Sequence, residues 1–262
     1  MTTAAREYAE IDGCRLEYRW VGAPANQGRT IVFLHEGLGS IAQWRDFPAE
    51  LCARTNCNGL IYNRQGYGGS DPFEQLPTTF MHREALEVLP RVLEAFDIAR
   101  PVLFGHSDGG SIALIYAASA QRFPAALILE APHVFVEDLT VASIAALRET
   151  SRLSKLREGL ARHHGEHVDR LLDGWIGTWL SGEFRTWNIA NVLPKITSPT
   201  LVIQGRDDEY GTMAQVSAIA DAAAGPVESL ALSKCGHAPH IDQREAVLQA
   251  SVAFLQQTGV LT

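Results

Sequence analysis

The segment Val102–Gly110 places the strongest constraint on the fold. It reads Val-Leu-Phe-Gly-His-Ser-Asp-Gly-Gly, so an apolar run leads directly into Gly-x-Ser-x-Gly and then into a helix-like segment, Ser111–Ala120. This pattern predicts a strand that turns into a helix within a few residues, with small residues beside the strained central position. Such a turn exposes the Ser107 hydroxyl at the positive end of the helix, which makes Ser107 a candidate nucleophile.

A candidate base and a candidate acid follow later in the chain. A serine hydroxyl is a weak nucleophile at neutral pH and needs both groups. Three adjacent acids at 207–209 follow the apolar residues 200–204, and the apolar residues 230–232 lead to His237 and His240. Neighbouring carboxylates raise one another's pKa by repulsion, so we expect one of these acids to face solvent.

These motifs resemble those of the α/β-hydrolase superfamily, whose members show Gly-x-x-Asp after the penultimate strand and Gly-His after the last one. The resemblance selects Asp208 as the acid and His237 as the base, with Asp207 as the alternative acid. It implies an α/β fold with an eight-stranded, mostly parallel sheet flanked by helices and an inserted helical lid. For His240 we favour a place at the pocket rim or at a helix N-terminus.

The loop at 35–40 resembles the His-Gly-x loop of that superfamily, although Glu36 stands where a glycine is usual. The resemblance implies an oxyanion hole made by the backbone amides of Gly37 and Asp108. Leu38 is the alternative donor on the loop side.

The predicted elements divide the chain into a core at 1–132 and 198–262 and a helical lid at 133–197. The predicted strands are 7–11, 14–21, 30–34, 59–62, 101–105, 126–130, 200–204 and 227–232. The predicted helices are 43–54, 79–97, 139–148, 154–163, 165–180 and 244–257.

The substrate site is expected between this lid and the nucleophile. Trp175 and Trp179 are four residues apart, which places both on one helix face. Such a pair most commonly packs in the core. The more specific functional explanation is contact with an apolar substrate. The residues assigned to substrate binding are Asp108, Glu36, Leu38, His133, Trp175 and Trp179.

Asp108 provides the best indication of specificity, because a carboxylate directly after the nucleophile is unusual. The Ser-Asp-Gly-Gly elbow resembles that of biphenyl-hydrolase-like and amino-acid-ester-hydrolysing relatives. We hypothesise that Asp108 pairs with an ammonium group of the substrate and that Glu36 adds to a negative pocket. Alternatively, Asp108 caps the helix or pairs with Arg148 or Arg152.

Several conspicuous residues have structural interpretations. His35 is expected to be a buried hydrogen-bonding residue. The glycine-rich loop at 60–71, in which Asn63 stands in place of the usual acid, is interpreted as a structural turn. The histidines at 163, 164 and 167 are interpreted as a solvated lid surface rather than a metal site. The four cysteines are expected to be reduced thiols without metal spacing.

Composition excludes several classes of protein. The net charge is −8 and no run of lysine and arginine forms a phosphate-binding stripe, which argues against nucleic acid. Residues 1–7 lack an apolar signal segment, and no run of about 18 apolar residues indicates a membrane span. We therefore expect a cytoplasmic protein with a small-molecule substrate and no cofactor or metal. Whether it forms a homo-oligomer is left open.

The resemblance implies a serine hydrolase that cleaves an ester or related acyl bond through an acyl-enzyme. It leaves open carbon-carbon bond hydrolysis of ring-fission products, cofactor-free haloperoxidase chemistry, and a ligand-binding receptor on the same fold. Carbon-carbon hydrolases often carry a glycine-rich loop and an aromatic residue where this chain has Glu36 and Ala238.

Overall fold

One eight-stranded sheet organises the computed structural model, which describes residues 6–22, 29–119 and 123–261. Its strands are β1 (Glu7–Ile11), β2 (Cys14–Val21), β3 (Thr30–Leu34), β4 (Asn58–Tyr62), β5 (Val102–His106), β6 (Ala126–Glu130), β7 (Thr200–Gly205) and β8 (Val227–Leu232). Their order across the sheet is β1-β2-β4-β3-β5-β6-β7-β8.

The sheet is antiparallel only at its first edge. β1 pairs with β2 and β2 with β4 in antiparallel register, and every later neighbour is parallel. Parallel strands joined by crossovers place their carboxyl ends along one edge, where α/β proteins carry their functional loops. The predicted fold class and the mostly parallel eight-stranded sheet are confirmed.

The central strands are buried on both faces. Successive side chains of a strand point to opposite faces, so Val32 and Leu103 pack into one core cluster and Phe33 and Phe104 into the other. All five residues of β3 and of β5 are buried. This explains why these strands appear in the sequence as continuous apolar runs rather than alternating ones.

Ten α-helices connect or flank the strands within the described residues. They are α1 (Phe47–Thr55), α2 (Phe80–Arg83), α3 (Leu89–Ala95), α4 (Asp108–Ala118), α5 (Asp138–Arg148), α6 (Arg152–His164), α7 (Val168–Trp179), α8 (Met213–Ala222), α9 (Pro239–Asp242) and α10 (Arg244–Gln257). Ala120, the predicted end of the helix after Ser107, lies outside the described residues.

The helices differ from the sequence prediction in several places, among them α9, which was not predicted. The helix expected at 79–97 widens into a π-helix at Glu84–Val88, directly before Pro90, which has no N–H to donate to the preceding turn. The helix expected from residue 165 begins at Val168, because Gly165 adopts φ 56° and ends α6. Helix α8 was not predicted.

Three helices, α5, α6 and α7, lie in the interval between β6 and β7. Each contributes side chains to the cavity above Ser107: Thr140 and Leu147 from α5, Leu156 from α6, and Trp175 from α7. The helical insertion therefore covers the carboxyl edge of the sheet at the nucleophile turn.

The glycine-rich loop after β4 is held by Asn63. Its side-chain oxygen accepts the N–H of Ile41 at 2.8 Å, and its side-chain nitrogen donates to Glu17 at 2.7 Å. An aspartate in this position could not donate, and its charge would face the Glu17 carboxylate. The amide thus fits where related sequences carry an acid.

No helix in the described ranges is long and apolar enough to cross a bilayer. Cys14, Cys52, Cys57 and Cys235 are all free thiols, and the last three are buried. Burial raises the pKa of Cys235 to about 11, which keeps this thiol protonated at neutral pH.

We predict that Gly109→Ala destabilises the fold by about 3 kcal/mol. A Cβ at this position would collide with the carbonyl group of Leu34, which is backbone that cannot move aside. Gly159→Ala is the matched control, since its Cβ would meet nothing within 4 Å and helix propensity favours alanine by roughly 0.5–1 kcal/mol. Urea denaturation midpoints measure both effects, and equal midpoints for Gly109→Ala and the unmodified protein would contradict this packing.

Candidate active site

Ser107 occupies the turn between β5 and α4. Its backbone has φ 53° and ψ −118°, which lies in the positive-φ region that side-chain-bearing residues rarely adopt. The Ser107 N–H donates to the Glu130 carbonyl at the end of β6, at 2.8 Å. A side chain at Gly105 would collide with the backbone of Gly109, so the two glycines allow the helix to start directly over the strand.

Three side chains that follow the carboxyl ends of β5, β7 and β8 meet at this turn. The Ser107 Oγ lies 2.9 Å from Nε2 of His237, and Nδ1 of His237 lies 2.9 Å from each carboxylate oxygen of Asp208. Asp208 follows β7 and His237 follows β8. The structure thus brings together the predicted nucleophile, acid and base.

Asp208 rather than Asp207 faces His237. The Asp208 carboxylate is buried and accepts hydrogen bonds from the Tyr210 backbone N–H at 2.8 Å and from the Gln204 side chain at 2.7 Å. Asp207 is exposed, in keeping with the expectation that one neighbouring acid faces solvent. Gln204, which sequence reasoning missed, orients the acid from within β7.

The Asp208–His237 pair favours the charged forms of both groups. Burial alone would lower the pKa of His237, but the hydrogen bond to Asp208 and its negative charge outweigh burial and raise that pKa. Burial would likewise raise the pKa of Asp208, but the hydrogen bond and charge of His237, together with the hydrogen bond from the Tyr210 N–H, outweigh burial and lower that pKa. The imidazole is therefore ready to accept a proton next to a carboxylate that stays ionised.

Two backbone N–H groups beside Ser107 have no acceptor among the described residues, those of Gly37 and Asp108. The Leu38 N–H donates to the Glu36 carboxylate at 2.7 Å. The alternative loop donor suggested by the sequence is therefore already occupied, and the pair at 37 and 108 is the one that remains available.

Arg64 and Tyr67 hold this loop from its carbonyl side. The Arg64 guanidinium donates to the carbonyls of His35 at 2.6 Å and of Glu36 at 3.0 Å, and the Tyr67 hydroxyl donates to that of Gly37 at 2.9 Å. The C=O and N–H of one trans peptide point in opposite directions. Because Arg64 holds the Glu36 carbonyl, the N–H of Gly37 points away from Arg64.

Arg64 and Tyr67, which we call the clamp, both come from the glycine-rich loop that sequence analysis interpreted as a structural turn. Arg64 is buried and lies over the Tyr67 ring at 4.6 Å. His35 is also buried and bonds through Nδ1 to the Glu36 carbonyl at 2.8 Å and through Nε2 to the Arg64 N–H at 3.3 Å. An arginine within a glycine-rich turn was the sequence signal that could have identified this contact.

The Asp108 side chain lies outside the cavity lining. Its carboxylate is 1% exposed, and neither oxygen has a hydrogen-bond partner of ordinary geometry among the described residues. A Cβ at Gly37 would meet both the Asp108 carboxylate and the Trp175 indole, so these groups press against the loop. Burial raises the pKa of Asp108 to about 7, against the opposing charge of Arg64.

The alternatives considered for Asp108 take a different form in the structure. Neither alternative is observed among the described residues: the Asp108 carboxylate accepts no helix N–H, and it forms no ion pair with Arg148 or Arg152. The positive charge with the largest effect on Asp108 is that of Arg64.

The cavity above Ser107 has a volume of about 210 Å³. Of the residues assigned to substrate binding, five line it: Glu36, Leu38, His133, Trp175 and Trp179. Leucines of α5 and α6 complete an apolar wall, and Tyr210 and Thr140 line it as well. Glu36 is the only acidic residue of the lining, and no lysine or arginine of the described chain contributes to it.

His106, Glu130 and His240 form a buried cluster behind the nucleophile. The Nε2–H of His106 donates to the His237 carbonyl at 2.7 Å, and Nδ1 of His240 donates to Glu130 at 2.6 Å. His240 lies in the first turn of α9, in agreement with the predicted place at a helix N-terminus, but it is only 5% exposed and its ring lies 4.8 Å from that of Trp44. Pairing with Glu130, at the end of β6, draws it into the core.

This cluster is the arrangement of described residues that most resembles a metal site, with its ligand-type atoms within 4.8 Å of one another. The hydrogen bonds of His106 and His240 already use one ring nitrogen of each. The cluster is therefore explained by the support that it gives to the loop of His237.

His164 departs from the solvated surface predicted for the histidines of the insertion. It is 2% exposed, accepts the Gly68 N–H at 3.0 Å and contacts the Leu38 carbonyl at 3.1 Å. Burial lowers its pKa to about 4, so the ring is neutral at pH 7. This residue fastens α6 to the loop that carries Gly37.

Comparison with known proteins places this geometry among hydrolases. A family model described as "Alpha/beta hydrolase family" matches residues 31–250. The chain is 25% identical to "Serine hydrolase BPHL" of Mus musculus over 205 residues, covering 76% of this chain and 68% of that protein. It is 26% identical to "Proline iminopeptidase" of Saccharolobus solfataricus over 242 residues, covering 77% of each chain.

A solved structure, the enol-lactonase from Burkholderia xenovorans LB400, superposes with a TM-score of 0.77. It is 20% identical, and the match covers 95% of this chain and 100% of the other. At this identity the likeness concerns the fold.

We predict that Asp208→Asn lowers the pKa of His237 below the ordinary range for histidine. The negative charge of Asp208, which opposes the effect of burial, is then lost, and only the charges of Glu36 and Glu209 remain to oppose it. NMR titration of the His237 ring measures the shift. Asp207→Asn is the matched control and leaves the His237 pKa unchanged; a larger shift from Asp207→Asn than from Asp208→Asn would contradict the observed pairing.

Proposed function

Because the chain belongs to the alpha/beta hydrolase family, we propose that it is a serine hydrolase that cleaves carboxylic esters of small molecules through an acyl-enzyme. The observation that carries the proposal is the continuous contact from Ser107 through His237 to Asp208, with 2.9 Å at each step. A nucleophile, a base within reach and an orienting acid are the requirements of this chemistry.

The reaction begins with proton transfer from Ser107 to His237. The Ser107 oxygen attacks the ester carbonyl while Nε2 of His237 takes its proton, and Asp208 stabilises the imidazolium. His237 then gives the proton to the departing alcohol oxygen, which leaves an acyl group on Ser107. Water attacks this ester in turn while His237 takes its proton, and that proton then passes from His237 to the Ser107 oxygen as the acid is released.

The negative charge of the tetrahedral intermediate is assigned to the N–H groups of Gly37 and Asp108. Neither N–H has an acceptor among the described residues, and Asp108 begins α4, so its N–H lies at the positive end of the helix. Loss of one such donor typically costs about 3–4 kcal/mol of transition-state stabilisation. The clamp by Arg64 and Tyr67 supports this role, since it fixes the direction of the Gly37 N–H before substrate arrives.

The acyl group is assigned to the cavity under the helical insertion at 133–197, which we propose acts as a lid. The lining by Leu147, Leu156 and Trp175 favours an apolar acyl group. A volume of about 210 Å³ suits a short chain or a single ring.

Glu36 rather than Asp108 is assigned to contact with a substrate cation. Glu36 lines the cavity, and one of its carboxylate oxygens holds the Leu38 N–H while the other has no partner among the described residues. The Asp108 carboxylate packs against Gly37 and Trp175 and does not line the cavity. An ammonium group near the ester carbonyl would therefore meet Glu36.

Ser107→Ala and His237→Ala are each expected to reduce kcat for 4-nitrophenyl butyrate by about 10⁴- to 10⁶-fold, because members of such a unit act together. Stopped assays of product release measure the loss, with circular dichroism to verify folding. Cys235→Ser is the control and retains turnover, since the Cys235 thiol is buried and protonated. Near-normal turnover in either alanine variant would refute the assignment, and binding without turnover by the unmodified protein would favour a receptor.

Glu36→Gln is expected to reduce the preference for a cationic acyl group by about 10-fold, the range for a charge-assisted hydrogen bond. Glutamine keeps an oxygen that can accept the Leu38 N–H, so the loop is retained. The measurement is the ratio of kcat/KM for glycine ethyl ester and ethyl propionate at pH 7, where most of the amine is protonated. Asp108→Asn is the comparison variant, and a fall in this ratio for Asp108→Asn alone would return the role to Asp108.

A further inference from the structure

His133 brings a polar ring into the apolar side of the cavity above Ser107. It follows β6 and lines this cavity together with Trp179 and the leucines of the helical insertion. We propose that Nε2 of His133 donates a hydrogen bond to an uncharged oxygen of the acyl group, so that the protein selects acyl groups with a keto, hydroxyl or ether oxygen. The inference rests on the proposed hydrolase function and deepens it by assigning a feature of the acyl group.

The two ring nitrogens of His133 have different surroundings. Nδ1 is fully buried and has no hydrogen-bond partner among the described residues. A Cβ at Gly211 would lie 3.8 Å from Nδ1, so this side of the ring is next to the loop after β7. Nε2 also forms no hydrogen bond with the described chain, but it is not among the fully buried atoms. Since His133 lines the cavity, Nε2 is the nitrogen that remains open to it.

Burial decides the protonation of this ring. It lowers the pKa of His133 to about 3, so the ring is neutral at pH 7 and has one N–H donor and one acceptor. Buried N–H groups without an acceptor are rarer in proteins than buried acceptors without a donor. We therefore assign the proton to Nε2, which presents an N–H donor to the cavity.

The position of His133 is fixed relative to the nucleophile. The Ser111 hydroxyl, one turn after Ser107 in α4, donates to the His133 carbonyl at 2.7 Å and accepts the His133 N–H at 3.1 Å. The centroid of the His133 ring lies 5.0 Å from that of Trp179, which it meets edge-on, and 5.9 Å from that of His237. The donor is thus held within reach of a short acyl group attached to Ser107.

The charge of the cavity disfavours an ionic acceptor. Glu36 is the only acidic residue of the lining, and no lysine or arginine of the described chain contributes to it. A carboxylate on the acyl group would therefore be buried near Glu36 without a cation, which costs more than one neutral hydrogen bond returns. An uncharged oxygen accepts from His133 without this cost.

An acyl group made only of carbon and hydrogen fits the cavity less well. It would displace solvent from the Nε2–H of His133 and leave this donor unpaired, which lowers affinity. An acyl group with one oxygen at this point keeps the donor paired, while its carbons pack against Leu147, Leu156 and Leu160.

The test compares 4-nitrophenyl esters whose acyl groups differ by one oxygen in place of a methylene: 3-methoxypropionate against valerate, and methoxyacetate against butyrate. The two pairs place the ether oxygen at different distances from the ester carbonyl. His133→Phe keeps a ring and removes the donor. We expect it to lower the ether-to-alkyl ratio of kcat/KM by about 5-fold in at least one pair, the range for one neutral hydrogen bond. Comparing the same ratio in both proteins cancels the different chemical reactivity of the esters.

Thr140→Val is the matched control, since it removes a hydroxyl from the same lining. That hydroxyl already donates to the Tyr210 carbonyl, so both ratios should stay as they were. His133→Gln supplies an amide N–H and should restore part of the preference. His133→Phe should leave the urea midpoint equal or higher, because it removes a buried nitrogen without a partner.

The proposal is overturned if His133→Phe leaves both ratios unchanged, if it lowers only the urea midpoint, or if Thr140→Val lowers the ratios equally. A binding measurement separates these results from failure of the proposed function. The ethyl esters of the same four acids are titrated calorimetrically into Ser107→Ala. Adding His133→Phe in that background should weaken binding of the ether ester relative to its alkyl partner by about 5-fold in at least one pair. Unchanged relative affinities in both pairs would refute the His133 assignment whether or not the protein hydrolyses esters.

Discussion

The site depends on a strained turn, the left-handed backbone at Ser107. Such a conformation costs of order 1–3 kcal/mol, and it persists only where the surroundings enforce it. Here Gly109 of α4 lies against the carbonyl group of Leu34, and the Ser107 N–H is bonded to the Glu130 carbonyl. The buried central strands thus hold the turn from three sides, and the serine oxygen gains its position from the core of the molecule.

A buried cation organises the surroundings of that turn. Arg64 is 4% exposed and bonds to two backbone carbonyls rather than to a carboxylate. The acids near it, Asp108 and Glu84, have raised pKa values because burial dominates over its charge. Arg64 therefore serves mainly as a fixed donor that orients a loop, while its charge moderates the cost of the acids packed nearby.

Local patterns predicted the parts of the site that depend on neighbouring residues. Gly-x-Ser-x-Gly after an apolar run predicted the turn at Ser107, and strand ends predicted where an acid and a histidine would follow. Asp208 could be preferred to Asp207 only by resemblance, since adjacent residues of one type differ in direction rather than in pattern. The structure supplies that direction through the bonds of Tyr210 and Gln204 to Asp208.

Contacts between distant segments could not be predicted in this way. The pairing of His240 with Glu130 joins positions 110 residues apart. Nothing in either local sequence indicates the other, so the helix start at His240 could be predicted while its buried partner could not. The same holds for Asp108, whose proximity to the nucleophile in sequence suggested contact with substrate, whereas the backbone turn directs its carboxylate behind Gly37 and Trp175.

The bond network of His164 has a consequence for how the insertion can be exchanged. One ring nitrogen serves the Gly68 N–H and the other the Leu38 carbonyl, so this side chain joins α6 to two loops of the core. A helical segment transplanted here from another protein would have to supply a ring with one donor and one acceptor at this point. The cavity-facing side chains of the insertion can thus be exchanged independently, whereas His164 must be kept because it joins α6 to the core.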